Sequence, residues 1–418
     1  MKLLKYLAAG LLAVSLFAAT ASAQTTIYIT GSTAFRGATV NAISALLAGT
    51  GTIVTASDNA TLTSANAVTW TGGSVGGQPV TIKASWSGSA GGIQTVAGNT
   101  AALMTVRFLP IGASGSANAD PRNTANAAEV ARPDIAMADN LQSSTLFNGT
   151  FLSKTYLHLS DTTVGVIPFR FVASAGFPTG KSMTPNLAQY LYTSGIVPLA
   201  LFTGQSGDEA KVVYAGGRDP DSGTRVVTFA ETGIGVFSGV QQYLPTFDSQ
   251  SPSHITGLSL YPATTINGVA VGIGNGGESS GGTLRGYTNH VLDASAYDPG
   301  AAGYTAGYLM TYLGVSDAAS AIAGSPAGVP LLWNGVDFTT GAVIEGQYTF
   351  WGYEHIMWRS NLGDGSADGG PVVKKNFATN LANGILGTSD AALSPNVKLS
   401  SMQVSRLQEG AQIGANYF

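Results

Sequence analysis

The chain contains no cysteine. That excludes disulfides, thiolate metal sites, a cysteine nucleophile and a lipid-modified cysteine at a processing junction. Charge is scarce as well: Asp, Glu, Lys and Arg make up 10% of the 418 residues, against roughly 25% in ordinary globular proteins. There are four histidines, His158, His254, His290 and His355, and no two have the spacing of a helical metal pair. Metal catalysis is therefore not expected. Beyond the first residues there is no apolar run of the ~20 residues a membrane-spanning helix needs. The net charge is −4, which disfavours polyanionic partners such as nucleic acid.

At the N-terminus, Lys2 and Lys5 precede the apolar run Leu7–Phe17, and Ala21-Ser22-Ala23 supplies small residues for cleavage. This is the pattern of a secretory signal peptide over 1–23, cut before Gln24. Without it the balance is 17 basic against 23 acidic residues, a net of −6. The expected mature protein is exported to a periplasm or secreted, and monomeric. About 395 residues exceed one ordinary core, so two lobes are expected: 24–168 with an Ala/Asn/Gly-rich insertion near 98–133, then 169–340, then a return to the first lobe over 341–418.

Hydrophobic residues at 44% exclude the composition of a disordered chain. Thr26–Thr30 reads as a strand, followed by Gly31-Ser32-Thr33 and a helix over Ala34–Leu47. Val68–Trp70, Val80–Trp86, Asp134–Ala138, Val164–Ala173, Lys211–Tyr214, Val269–Ile273 and Ala306–Tyr312 are further apolar or strand-like segments. Asn186–Tyr192 reads as helix, and another helix is expected over Arg225–Val240. The densest aromatic segment is Tyr348–Trp358, expected to pack in the core or between lobes, with stacking on a sugar as the alternative. Alternating strands and helices without tandem repeats favour an α/β fold.

Three turns share one chemistry: Gly31-Ser32-Thr33, Gly88-Ser89-Ala90-Gly91-Gly92 and Ser222-Gly223-Thr224. Each sets a hydroxyl beside glycine just before an expected helix. The first helical turn leaves amide N–H groups free at the positive end of the helix dipole, which suits an oxyanion. Each turn alone is also an ordinary helix cap. Arg218, four residues before Ser222, either reaches the same anion with its forked donors or pairs with Asp219 or Asp221 at the surface.

The spacing Arg218-x-x-x-Ser222-Gly223-Thr224 resembles the anion-binding loop of the phosphate-binding proteins of bacterial ABC transporters. In the same order, Ile29–Phe35 resembles that family's first phosphate-binding turn, Gly88–Gly92 its second, and Ala136–Asp139 the segment that delivers a buried Asp. The resemblance covers about residues 25–240. It implies a two-lobed type II periplasmic binding protein fold, with mixed sheets flanked by helices, a hinge and a ligand cleft. It also implies that Ser32, Thr33, Ala34, Ser89, Asp139, Arg218, Ser222, Gly223 and Thr224 hold phosphate or a related tetrahedral oxyanion. The function implied is capture for ABC-type uptake, with an ABC permease as partner, and with no cofactor, metal or catalytic residue. The chain departs from the family at Arg36, where proline is usual, and at Pro220, which stands where the Arg loop has an acidic residue.

Two rivals remain at this level. A surface or matrix protein that kept the fold would suit the low charge. A secreted hydrolase would need a base or metal set that is not visible. Gly72–Gly76 and Gly277–Gly281 fit G-x-S-x-G without a clear strand-to-helix elbow. Asp364–Gly369 resembles the front of a calcium loop, but Lys375 stands where a bidentate Glu is required.

Overall fold

The computed structural model describes residues 24–99, 105–113, 129–250, 254–292 and 306–416. The expected signal peptide and parts of the 98–133 insertion lie outside the described residues. The described parts of that insertion include Val106–Phe108, paired antiparallel with Glu129–Ala131.

The chain is a mixed α/β structure. Its elements begin with β1 (Thr25–Gly31), α1 (Arg36–Leu47), β2 (Val54–Ser57), β3 (Ala67–Val75), β4 (Gln78–Ser85), α2 (Ser89–Ala97), β5 (Ile135–Ala138) and β6 (Leu159–Ala173). There follow α3 (Pro185–Ser194), β7 (Ile196–Pro198), β8 (Lys211–Ala215), α4 (Gly223–Glu231), α5 (Gly281–Thr288), β9 (Ala306–Gly314), α6 (Val315–Ile322), β10 (Trp351–Arg359) and α7 (Val373–Gly387). The large sheet runs β7-β8-β9-β6-β10-β5-β1-β4-β3-β2, with the short strand Val329–Pro330 added on β6.

β6 belongs to both halves of that sheet. Leu159–Pro168 pairs with β10, and Phe169–Ala173 pairs with β9. Its apolar run is buried on both faces from Val164 through Phe169, as a central strand covered on both sides must be. The Tyr348–Trp358 aromatics are core: Tyr348, Phe350 and Trp351 are fully buried, and Phe350 stacks on Phe171 at 5.1 Å between ring centroids.

Helix α1 buries Thr39, Val40, Ile43 and Leu47, one face at helical spacing. Helix α3 has a Thr184 cap, proline in its first turn and Gly195 in the left-handed region at its end.

Two local expectations are corrected. The segment Gly88–Gly92 is not wholly a turn, because α2 starts at Ser89 and takes Gly91 and Gly92 into its first turn. A Cβ on Gly92 would stand 2.7 Å from the Gly31 Cα, so this glycine permits a helix to lie directly on a strand end. Helix α4 ends at Glu231 rather than reaching Val240. Gly233 and Gly235 adopt φ of 73° and 95°, a conformation no helix continues through.

Candidate anion site

Strands β1, β4 and β5 run parallel, so their carboxyl ends lie side by side. Open α/β sheets characteristically bind ligands at such ends. Ser32 and Thr33 leave β1, Ser89 lies just beyond β4, and Asp139 follows β5 directly. Gly31 sits at φ +118°, and a Cβ there would be 2.0 Å from the Met137 carbonyl oxygen. Only glycine allows this strand end, from which the Ser32 N–H donates to that same carbonyl at 2.7 Å. From the other half of the sheet, β8 ends at Ala215 and the loop through Arg218 leads into α4.

Asp139 is the meeting point. It is buried, and the Ser89 hydroxyl donates to its Oδ1 while the Thr224 hydroxyl donates to Oδ2 at 3.2 Å. Its own N–H donates back to Ser89 Oγ at 3.2 Å. The N-termini of α2 and α4 thereby face each other: a Cβ on Gly223 would fall 2.4 Å from Ser89 Oγ. The Asp221 carbonyl accepts from the N–H groups of Ala90 and Gly91, at 2.9 and 3.3 Å. The N–H groups of Thr33, Ala34, Ser89, Gly223 and Thr224 have no hydrogen-bond partner among the described residues. Those of Ser89, Gly223 and Thr224 are free first-turn donors of α2 and α4, while Thr33 and Ala34 lie in the segment that leads to α1, before Phe35.

Arg218 is buried with 2% exposure, which removes the surface-pair alternative. Its Nε donates to the Glu278 carbonyl at 2.9 Å, and its Nη2 donates to the Ser279 carbonyl at 2.8 Å and to Thr33 Oγ1 at 3.1 Å. The guanidinium is thus held at the end of β1. Ser222 caps α4, accepting from Arg225 N at 3.3 Å, and Ser32 accepts from Phe35 N at 3.1 Å.

The expected residues therefore fall into linked groups. Ser89, Asp139, Gly223 and Thr224 form one, Thr33 and Arg218 another with Ala34 beside them; Ser222 caps α4, and Ser32 ties the turn before α1 through Phe35 N. The Ser89 and Thr224 hydroxyl protons, expected on an anion, are directed at Asp139.

In structure the chain is similar to phosphate-binding proteins. A phosphate ABC transporter substrate-binding protein with bound phosphate from Clostridium perfringens is 11% identical at a TM-score of 0.45, over 90% of this chain and 100% of that one. A phosphate transport receptor from Vibrio cholerae is 12% identical at 0.41, over 85% and 93%. A phosphate-binding protein from Stenotrophomonas maltophilia is 13% identical at 0.40, over 90% and 91%. No protein-family model matches the chain, and no curated protein matches it in sequence.

One acidic residue of this region was missed from sequence. The β5–β10 register sets His355 opposite Ala138, so Glu354 lies level with Asp139. Glu354 is fully buried, and neither carboxyl oxygen has a hydrogen-bond partner among the described residues. Burial pushes its carboxyl well above the usual range, and the charge of Asp139 pushes the same way. The Ser32 hydroxyl, close by but outside hydrogen-bond geometry, favours the charged form. A lone acid inside the aromatic run of β10 was the available signal.

The second missed feature is the segment Gly277–Gly281, which packs against Arg218. A Cβ on Gly277 would lie 2.3 Å from the Arg218 carbonyl carbon. The G-x-S-x-G match there is a clamp on the arginine, with Ser280 capping α5 by accepting from Thr283 N at 3.1 Å. The match at Gly72–Gly76 lies where β3 turns back into β4. Among the described residues, no group of three or more His, Asp or Glu is arranged to hold a metal. His355 pairs with Asp161 at 2.9 Å and His254 with Asp248 at 3.1 Å. No described helix is long and apolar enough to cross a membrane.

Proposed function

We propose that this protein binds phosphate, or a related tetrahedral oxyanion, among Thr33, Ala34, Ser89, Asp139, Arg218, Gly223 and Thr224, with Ser222 fixing the start of α4 and Ser32 the turn before α1. It acts as an exported solute-binding protein that delivers the anion to an ABC permease, and it makes and breaks no bond. The observation that supports this reading is that segments far apart in the chain meet through buried hydroxyl, carboxylate and guanidinium contacts. Two sets of contacts support it: Ser89 and Thr224 meet on the buried carboxylate of Asp139, and Thr33 meets the buried guanidinium of Arg218, with unpartnered amides at Thr33, Ala34, Ser89, Gly223 and Thr224.

Such a site holds an anion with backbone dipoles and a single arginine, which suits a chain with so little charge. Asp139 accepts the proton that hydrogen phosphate carries, and Arg218 supplies the opposite charge. The lobe boundaries expected near residues 168 and 340, and the processing site after Ala23, belong to the same proposal. N-terminal sequencing of the exported protein tests the latter, with Gln24 expected first.

The function is tested by thermal unfolding with phosphate, sulfate, arsenate and molybdate. A ligand at a hundred times its Kd stabilises by about 2.7 kcal/mol, so phosphate should raise the Tm by several degrees. A flat response to all four anions contradicts the reading.

A further inference from the structure

We propose that the cavity beside Thr33 and Ala34 is a second subsite, which takes the hydroxylated part of a phosphate monoester. The natural ligand is then an esterified phosphate carrying several hydroxyl groups rather than the bare ion. The inference rests on the phosphate reading above and names the ligand class for that same site.

The cavity measures about 280 Å³ and is lined by Thr33 and Ala34 together with Arg36, Arg285 and Asp317. Thr33 also accepts from Arg218 at 3.1 Å, so the cavity adjoins the anion site through a shared residue. A volume of that size holds roughly nine water-sized groups. That is room for an organic portion of several heavy atoms.

The lining decides the chemistry. Asn41, Thr63, Ser316 and Ser320 add hydroxyls and an amide. Arg36 is half-buried, fixed by donating to Asn66 Oδ1 at 2.6 Å. Arg285 Nη1 stands 4.0 Å from Asp317 Oδ1. The room for Asp317 is made by Gly281, whose Cβ would otherwise fall 2.2 Å from Asp317 Oδ2. Arginine donors and a carboxylate acceptor in one polar cavity match groups that both accept and donate, which hydroxyls do. An apolar ester would leave these polar groups without partners.

The test is calorimetric titration of the full chain with inorganic phosphate, ethyl phosphate and glycerol 3-phosphate. Wild type is compared with Ser320→Trp, which fills the cavity, and Arg285→Ala, which removes a donor. The expected result is glycerol 3-phosphate binding about tenfold or more tighter than either other compound. Each variant should lower that affinity by about tenfold while leaving inorganic phosphate within about twofold, tenfold being about 1.4 kcal/mol. Inorganic phosphate binding tighter than both esters would overturn the proposal while leaving the phosphate reading intact. Equal weakening of all ligands by both variants would also overturn it. If none of the three compounds binds, the phosphate reading falls and takes this inference with it.

Discussion

A buried carboxylate such as Asp139 must find donors, and here it has the hydroxyls of Ser89 and Thr224. An incoming anion beside it costs several kcal/mol unless a proton lies between the two. Hydrogen phosphate brings that proton, and sulfate at neutral pH does not. Asp139→Asn removes the penalty on sulfate, so the preference for phosphate over sulfate should fall by at least about tenfold, or 1.4 kcal/mol, in calorimetric titrations of both anions. Unchanged selectivity would remove Asp139 from the site. Glu354, level with Asp139, gives a separate prediction. Its carboxyl is raised in the folded protein, so the folded chain keeps a proton that the unfolded chain loses above about pH 4.5. The stability tied to that proton is complete below this range and is lost as pH rises toward the folded value. Glu354→Gln cannot titrate, so its Tm should gain on wild type by a few degrees between pH 5 and pH 8. A pH-independent difference would contradict the assignment. The positions of Asp139 and Arg218, buried just beyond strand ends, were legible because each sits in a short motif after a readable strand. Glu354 was hidden because the aromatics around it declare a core strand, and its neighbour across the ladder is set by register, which sequence does not display.

At the scale of elements, the site depends on two helices meeting start to start. Gly223 leaves no room for a side chain against Ser89 Oγ and Asn140 Oδ1, at 2.4 and 2.8 Å from its would-be Cβ. Gly223→Ala should therefore destabilise the chain by about 1–3 kcal/mol in denaturant unfolding and abolish the phosphate-induced Tm rise. A variant as stable as wild type would show that α2 and α4 do not touch in this way. Strands β1 and β6 were readable because they are rich in β-branched residues and bounded by polar turns, and β5 because it is a short apolar run that stops at Asp139. The first turn of α2 was less readable, since its glycines serve close packing while glycine usually signals a turn. The Gly277–Gly281 clamp was not readable at all. In a chain with 55 glycines, such spacing has nothing to set it apart until β8 and its loop bring Arg218 against it.

Across the whole molecule, β6 runs through both halves of the sheet, pairing with β9 and with β10, and β10 carries the ladder on to β5 beside Asp139. Low charge and abundant glycine, which looked like features of composition, suit a site built from amides and hydroxyls with one arginine. The α/β class was legible from alternating segments, and the pairing of distant strands was not, because it is fixed by packing between residues far apart in the chain. The central claim is that segments beginning at Thr33, Ser89 and Gly223 surround the same anion. Amide nuclear magnetic resonance during a phosphate titration observes each segment separately. The account predicts that the N–H signals of Thr33, Ser89, Gly223 and Thr224 all shift along curves with one common Kd. Shifts confined to one segment, or curves with different Kd values, would contradict it.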